Sequence, residues 1–501
     1  MARRDEKGAA SPLVTGPIGT TLLLFALPTL GSSVLQSANG SIDAVWVGRL
    51  LGEDALAATT NGNLIMFMLT AFVFGFGMAA TILVGQSFGR GDLDGARRVV
   101  GTALGTFVPL AVLVSIAGWF LAPRLLEVLG TQEQITPLAR DYLRVTFFAM
   151  PAILMQTMLM MALRGSGDAI TPLVFMALSV VLDVVLNPVF ILGLGPAPAM
   201  GIGGSAMATA LANYISLLSM LVYIYARDLP LRLRGAELSY LRPAPSVLKI
   251  MLRKGLPIGI QMIVVSSSML TMMTLVNRLG VDTTAAFGAT QQLWTYVQMP
   301  AMALGAAVSA MAAQNIGAGR WDRVSRVTRA GVWFNIVLTG GLVAVLALVD
   351  DRALGLFLGP DSPAIPIGQH IGALATWGFI AFGVSMVLFG TVRANGQVVW
   401  PLIILFVSMY PVRIGVALGL RGWLGPDALW LSFPAAMVST MLMATALYLH
   451  GGWRKEADMR VEDDLALSQT VMISEAAPPH NPSAPDAPAV PVRTTGSAPS
   501  A

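Results

Sequence analysis

Residues 85–98 read GQSFGRGDLDGARR and residues 313–326 read AQNIGAGRWDRVSR, two versions of one motif. Each follows a long apolar run. Aligned without gaps, the two stretches share a glutamine, two glycines, an aspartate and an arginine, which are Gln86, Gly89, Gly91, Asp94 and Arg98 in the first and Gln314, Gly317, Gly319, Asp322 and Arg326 in the second. A motif that recurs at so large a separation indicates an internal duplication.

The duplication extends over most of the chain. RGSGDAITP at residues 164–172 matches RANGQVVWP at residues 393–401, and ALPTL at residues 26–30 matches GLPIG at residues 255–259. The common order and nearly constant spacing of these pairs predict two lobes of six helices, an N-terminal lobe at 17–226 and a C-terminal lobe at 252–450. Parallel repeats of this kind are a transporter design in which the substrate cavity lies between the lobes.

The composition is that of a membrane protein. Hydrophobic residues make up 55% of the 501 residues and charged residues 12%, about half the charged share of a soluble domain. Apolar runs of about 20 residues cross a bilayer as helices, so we predict an all-α membrane fold with twelve transmembrane helices. The predicted spans are 20–48, 57–86, 99–121, 138–163, 171–193, 203–226, 252–277, 284–313, 327–349, 368–392, 399–420 and 426–449.

The distribution of lysine and arginine predicts the orientation of the spans. Basic residues concentrate in the N-terminal segment 1–16, in the loops after the even-numbered spans, in the linker 227–251 and after the last span. Cytoplasmic loops are enriched in Lys and Arg, so both termini are predicted to be cytoplasmic. No cleavable signal peptide is evident. The tail at 451–501 is rich in Pro, Ala and Ser and is predicted to be disordered.

The composition also argues against several chemistries. The chain has no cysteine and only three scattered histidines, so disulfides, thiolate sites and histidine-based metal sites are not expected. The turns GRGD and GAGR lack the spacing and the preceding strand of a phosphate-binding loop. The spans contain no nucleophile–base pair and no metal-binding motif. We therefore expect neither an enzyme nor a nucleic-acid partner, and no cofactor other than a coupling ion.

A polar stripe on the first span is the first candidate site. Gln36, Asn39, Gly40 and Asp43 have the spacing of one helix face. A carboxylate within a membrane helix costs about 2.5–3.5 kcal/mol on insertion scales, so this face is expected to point into the bundle. The alternative is that Asp43 is only the polar flank of a helix that stops early.

The fifth span carries a second stripe, in which Ser179, Asp183 and Asn187 are each four residues apart. Pro188 leaves the carbonyl of Val184 without its helical partner. Carboxylates beside free carbonyls suit a hard cation such as Na⁺, whereas a buried aspartate can instead carry a proton. The structural alternatives are an Asp183 that bonds neighbouring helices and an Asn187 that serves only helix packing.

The second half lacks the two carboxylates. The repeat places Met272 at the position of Asp43 and Val412 at that of Asp183, so ion coupling is predicted to depend on the N-terminal lobe. Arg413 either bonds a neighbouring group or lines the cavity. The candidates for the substrate cavity are polar or aromatic residues within the spans: Gln36, Ser179, Gln261, Gln291, Trp294, Tyr296 and Arg413.

These stretches resemble the multidrug and toxic compound extrusion (MATE) family of secondary transporters over about residues 15–450. The matching pieces are LPTLGSSVLQSANGSIDAVWVGRLLGEDALAA at 27–58, GQSFGRGD at 85–92, RGSGDAITP at 164–172 and LDVVLNPVFI at 182–191. The resemblance implies a V of two lobes in a bacterial inner membrane. It also implies export of drugs or toxic organic cations by alternating access, driven by entry of H⁺ or Na⁺. We expect a monomer.

The resemblance further implies a coupling site made of a carboxylate on the first helix and an Asn/Asp pair on the fifth. Asp43 matches the carboxylate, with Asn39 beside it. Asp183 and Asn187 match the pair in exchanged order, which leaves H⁺ and Na⁺ both open, with Na⁺ held by Asp43, Asp183 and Asn187. One alternative is a flippase for lipids or lipid-linked oligosaccharides, which also has duplicated lobes. The other, an intramembrane enzyme, lacks the motifs it needs.

Overall fold

The computed structural model describes residues 11–128, 131, 134–195, 198–359 and 362–454, without the side chains at 53, 54, 56, 57, 60–62, 64, 65 and 128. Regular structure in these ranges is helical. The helices of the N-terminal half are α1 (Pro12–Thr15), α2 (Ile18–Leu51), α3 (Glu53–Arg90), α4 (Leu93–Val128), α5 (Thr136–Ser166), α6 (Ile170–Leu192) and α7 (Ile202–Ala226).

A short 3-10 helix (Gly235–Leu241) lies between the halves. The C-terminal half contains α8 (Pro245–Asn277), α9 (Val281–Gly317), α10 (Trp321–Leu358), α11 (Ile365–Ala375), α12 (Gly378–Ala394), α13 (Val399–Val407), α14 (Arg413–Gly419), α15 (Arg421–Leu424) and α16 (Asp427–His450). A π-helical turn, Ser408–Val412, joins α13 to α14, and a 3-10 turn, Gly452–Arg454, follows α16.

The predicted fold class is confirmed. Eleven spans in the described ranges are long and apolar enough to cross a membrane, and the bent pair α11–α12 makes a twelfth. Helices are the expected solution, because a spanning segment must satisfy its backbone hydrogen bonds internally. Two of the spans are not continuous α-helices. The tenth is bent by 46° between α11 and α12, and the eleventh contains the π turn.

The predicted linker 227–251 and the predicted tail 451–501 can be compared with the structure only in part. Helix α8 begins at Pro245, so the end of the predicted linker 227–251 is helical. The predicted tail falls outside the described residues except for its first residues, where Gly452–Arg454 form a 3-10 turn.

A repeated glycine ends the helices that carry the duplicated motif. Gly91 ends α3 with a φ of 76° and donates its N–H to the Phe88 carbonyl at 3.1 Å. Its repeat partner Gly319 has a φ of 69° after α9 and donates to the Ile316 carbonyl at 3.0 Å. A residue with a side chain is strained in this left-handed conformation, which explains why both copies of the motif keep a glycine there.

The two lobes are joined at the end that holds most of the basic loops. The side-chain amide of Gln86 donates to the Ala394 carbonyl at 2.7 Å, and that of Gln314 donates to the Gly165 carbonyl at 2.9 Å. Gln86 and Gln314 are repeat partners, and so are Gly165 and Ala394. The two bonds therefore form one reciprocal pair across the pseudo-twofold axis, which we name the glutamine latch.

Toward the opposite end, each lobe packs around its own core. Apolar clusters shared by the lobes lie on the latch side, for example Met78 and Ile82 against Ile258 and Val398. The cluster with Leu143 and Phe147 draws only on the N-terminal lobe, and the cluster with Phe287 and Trp294 only on the C-terminal lobe. Among the described residues, the lobes thus share apolar contacts at the latch and pack separately toward the other end, which we call the open end of the V.

Candidate functional site

Helices α2 and α6 bring the two predicted polar stripes together inside the N-terminal lobe. The side-chain amide of Asn187 donates to Oδ1 of Asp43 at 2.8 Å and to the backbone carbonyl of Asp183 at 3.1 Å. Asp183 is 1% exposed and Asn187 is fully buried, while Asp43 is half-buried. One amide therefore links the two carboxylate-bearing helices in the open half of the V.

The site is rich in oxygen acceptors. The side chains of Asp43, Thr209 and Asn39 lie beside the carboxyl group of Asp183. None of them makes a hydrogen bond of ordinary geometry to either Asp183 oxygen, and Oδ1 of Asn39 and Oδ1 of Asn187 are likewise buried without a hydrogen bond among the described residues. A buried acceptor without a partner costs about 1–3 kcal/mol. A proton or a small cation among these oxygens would offset that cost.

Helices α5 and α7 add two residues that the sequence analysis missed. Thr209 lies next to the Asp183 carboxyl group, and Tyr142 lies near Asp43. A signal for Thr209 was present in the sequence, because Ser205, Thr209 and Asn213 form a third polar stripe with a spacing of four. Tyr142 had no such signal, since Arg140, Asp141 and Arg144 beside it indicate the polar end of a span.

The other two N-terminal candidates continue the same stripes toward the latch. Ser179 is buried one turn before Asp183 on α6, and Gln36 is exposed about one turn before Asn39 on α2. The structure therefore groups the N-terminal candidates on two adjacent helices. Their roles in binding an ion or a substrate stay predictions.

In the C-terminal lobe, Trp294 belongs to an aromatic core. Its indole N–H donates to Oγ1 of Thr376 at 2.8 Å, and its ring packs within 6.0 Å of the rings of Phe287 and Phe433. With its N–H bonded and 3% of its surface exposed, Trp294 holds α9 against the neighbouring helices and offers little surface to a ligand.

The remaining C-terminal candidates are spread over the lobe. Gln261 is buried on α8, where its amide donates to the Val398 carbonyl at 2.9 Å and its oxygen accepts a hydrogen bond from Arg393. Gln291 is half-buried on α9, and Tyr296 is 42% exposed on the same helix. The structure does not bring these residues to one place, and Gln261 lies on the latch side, apart from the others.

The lobe's counterpart of the coupling site is apolar except for one cation. Met272, at the repeat position of Asp43, is fully buried in an apolar cluster. Arg413 is 5% exposed, and its guanidinium lies 3.9 Å from the centre of the Phe433 ring. The two lobes therefore differ in charge in corresponding regions, with carboxylates in the first and a guanidinium, one residue after the position of Asp183, in the second.

Comparisons with known proteins agree with this architecture. The MatE family model matches residues 28–189 and 257–418, one copy in each lobe. The chain is 34% identical over 457 residues to the probable multidrug resistance protein YoeA of Bacillus subtilis, covering 90% of this chain and 98% of that protein. It is 31% identical to the probable multidrug resistance protein YpnP of the same organism, covering 88% and 96%.

A solved structure has the same fold. It is described as the outward-facing conformation of a multidrug resistance MATE family transporter, and it superposes with a TM-score of 0.80 at 21% identity, covering 92% of this chain and 99% of that one. The duplicated family match, the identity to YoeA along nearly the whole chain and the shared two-lobed fold lead to one conclusion. This chain belongs to the MATE family, and it is a multidrug efflux transporter of the membrane rather than an enzyme.

Proposed function

We propose that this protein is a cation-coupled antiporter that exports organic, mostly cationic or amphipathic compounds by alternating access. The coupling cation binds among Asp43, Asp183, Asn187 and Asn39. The acceptor-rich site around Asp183, whose two carboxylate oxygens are buried without a hydrogen bond among the described residues, carries this proposal. The bound species in this proposal is a proton or Na⁺.

The residues present fit either species. Sodium prefers hard oxygen ligands, and the two carboxyl groups and two amide oxygens supply such a set. A proton needs only one carboxyl group that is buried and reachable from outside. Asp183 is buried and Asp43 is half-buried on the side of the open V, so Asp43 is the entry point and Asp183 the inner acceptor in both cases.

Cation entry is coupled to drug export because each ligand binds with different affinity to the two arrangements of the lobes. A ligand shifts a conformational equilibrium only by the difference in its affinity for the two states. A cation between Asp43 and Asp183 ties α2 to α6, whereas the empty pair leaves two carboxylates facing each other. The cation and the drug therefore favour different shapes of the N-terminal lobe, and the exchange of one for the other drives transport.

The site of action is the bacterial inner membrane, with both termini in the cytoplasm and the protein acting as a monomer. With this orientation the glutamine latch is the cytoplasmic gate, and the open V faces outward. The relatives YoeA and YpnP are both named probable multidrug resistance proteins, which supports small toxic organic compounds as substrates.

The test uses purified protein in liposomes, a fluorescent cationic dye, and an imposed Na⁺ or H⁺ gradient. Wild type should accumulate dye with one gradient and not the other, which identifies the ion. Asp43→Asn keeps the shape of the side chain but removes its charge, so dye accumulation should fall at least about tenfold, to the level seen after the gradient is collapsed.

Asp141→Asn is the matched control, because Asp141 is an exposed carboxylate on α5 that pairs only with its neighbour Arg140. This variant should transport like wild type. Full gradient-driven transport by Asp43→Asn would refute the proposed coupling site.

The flippase alternative finds less support. A pyrophosphate-linked lipid needs several cations around one cavity, since phosphate groups are bound by clusters of Arg and Lys. In the open half of the C-terminal lobe, the contacts of the Arg413 guanidinium among the described residues are to serine, thioether and aromatic side chains. That setting suits a single small anionic group better than a pyrophosphate.

A further inference from the structure

Arg413 is a buried charge that the coupling mechanism leaves unused. It begins α14, in the middle of the eleventh span, with 5% of its surface exposed. Arginine stays charged under all ordinary conditions, and a charge inside a membrane protein is costly unless it is paired. An arginine kept in this position therefore calls for a partner.

The described residues do not supply an anionic one. Nη1 lies 3.4 Å from Oγ of Ser268, and the two other contacts are to the thioether sulfurs of Met409 and Met269, at 3.7 and 3.6 Å. Nε has no hydrogen-bond acceptor among the described residues, and none of their carboxylates pairs with the guanidinium. Thioethers are weak acceptors, whereas a guanidinium has five N–H donors.

Another arginine in the same chain shows what a satisfied guanidinium looks like. Arg97, on α4, donates from Nη1 to the Glu237 carboxylate at 2.6 Å and from Nε to the Pro230 carbonyl at 2.9 Å. By comparison, the donors of Arg413 make long contacts or none. Its planar face is covered by Phe433 at 3.9 Å, so what it lacks is an acceptor in the plane of the guanidinium.

The backbone next to Arg413 is also irregular. The π turn Ser408–Val412 ends directly before it, and Oγ of Ser408 is fully buried without a partner among the described residues. Single π turns occur often at functional sites, because they redirect the side chains that follow. The turn therefore places an unpartnered hydroxyl and a guanidinium whose Nε has no acceptor among the described residues in the same short segment.

The internal repeat relates this segment to the coupling site of the N-terminal lobe. Ser268 corresponds to Asn39, and Arg413 corresponds to Val184, the neighbour of Asp183. In the C-terminal lobe Val412 thus takes the place of Asp183, and the donor-bearing Arg413 follows it by one residue. Met269, which covers Nη2, is half-buried and flexible. A rotation of its side chain would open an approach to the guanidinium.

We propose that Arg413, with Ser268, binds the carboxylate of a substrate, so that the preferred substrates are organic cations that also carry a carboxylate. The planar fork of a guanidinium matches the two oxygens of a carboxylate in a bidentate pair. This inference rests on the proposed export function and narrows its substrate class to zwitterions.

The test measures equilibrium binding of a rhodamine with a free carboxylic acid and of its methyl ester, which differ only in the anionic group. Fluorescence anisotropy with purified wild type should show tighter binding of the acid. Arg413→Met should weaken binding of the acid about tenfold and leave the ester within about twofold of wild type. Arg413→Lys, which keeps the charge but loses the fork, should lie between them.

Two further arms make each outcome decisive. Benzoate should displace the acid dye from wild type but not from Arg413→Met, and unchanged binding of the ester shows that the variant is folded. If Arg413→Met loses the same affinity for the acid and for the ester, or loses affinity for neither, the proposed carboxylate site is wrong. If Arg413→Met does not fold, Ser268→Ala and Arg413→Lys apply the same comparison.

The arms also separate this inference from the coupling proposal. Asp43→Asn should keep the difference in affinity between acid and ester, because equilibrium binding needs no gradient, while losing gradient-driven transport. If gradient-driven transport is lost but the acid dye still binds more tightly than its ester, the result bears only on the coupling site of the N-terminal lobe. If transport stays coupled but the acid dye binds no more tightly than its ester, only the role of Arg413 is contradicted.

Discussion

Replacing Asp183 by asparagine is expected to abolish coupled transport and to stabilise the protein at the same time. Both oxygens of the Asp183 carboxyl group are buried without a hydrogen bond of ordinary geometry among the described residues, although Thr209 and Asn39 lie beside them, and such groups cost about 1–3 kcal/mol. Asparagine is neutral and brings an amide that can donate to the nearby Asn39 oxygen. The melting temperature in detergent should therefore rise by a few degrees, while gradient-driven dye accumulation in proteoliposomes falls at least about tenfold.

The opposite signs of these two effects distinguish a functional carboxylate from a structural one. Asp168, just before α6, is a structural carboxylate, because its Oδ1 accepts hydrogen bonds from the backbone N–H groups of Ile170 and Thr171. Asp168→Ala should lower stability by about 1 kcal/mol, as the loss of a helix cap does, and should keep coupled transport per folded molecule. A marked loss of stability in Asp183→Asn would instead assign Asp183 to the structural role.

Adding a single methyl group at Gly89 or Gly317 is expected to open the cytoplasmic gate. A Cβ at Gly89 would overlap the Gln314 carbonyl oxygen and lie 2.8 Å from its carbon, and a Cβ at Gly317 would meet the Gln86 carbonyl in the same way. Both neighbours are backbone atoms in the other lobe, so the lobes must separate. Alanine has a higher helix propensity than glycine. Any loss of stability of the closed gate in these variants therefore comes from the contact between the lobes and not from the helix itself.

We expect Gly89→Ala and Gly317→Ala each to weaken the closed gate by about 2 kcal/mol, which is about a thirtyfold shift toward the open arrangement. The chain has no cysteine, so Ala313→Cys provides a single label at a fully buried position near the latch. A membrane-impermeant maleimide in inside-out vesicles should label it at least about tenfold faster in these variants, and dye transport should fall.

Gly341→Ala is the control for this experiment, because a Cβ at Gly341 on α10 would meet nothing within 4 Å. It should change neither labelling nor transport. Slow labelling and normal transport in both latch variants would mean that the close approach of α3 and α9 is not needed for the gate.

The sequence predicted the parts of this protein that depend on repetition and on helix periodicity. The duplicated motif and the apolar runs predicted twelve spans in two lobes. The spacing of Asn39 and Asp43, and of Asp183 and Asn187, predicted two polar faces that the fold brings into contact. These features can be predicted from the sequence because residues three or four apart share one face of a helix. The thickness of the bilayer likewise fixes the length of a spanning helix.

Other features depend on contacts between segments that are far apart in the chain. The bend between α11 and α12 was not predicted from the sequence. The π turn before Arg413 was not predicted either, although it contains Pro411, which lacks the backbone N–H for a helical hydrogen bond. The acidic site also needed a third helix, since Thr209 reaches Asp183 only when α7 packs against α6.

The duplicated glutamines show most clearly what sequence and tertiary structure each decide. The motif identified Gln86 and Gln314 as repeat partners, but each glutamine bonds a carbonyl of the opposite lobe rather than its own. Likewise, Arg413 is visible in the sequence as a charge within a span, and only the fold shows that no described carboxylate accompanies it. The sequence alone determined which residues are polar inside the membrane. The tertiary structure decided which of them have partners, because partners are assigned by proximity in space and not by position along the chain.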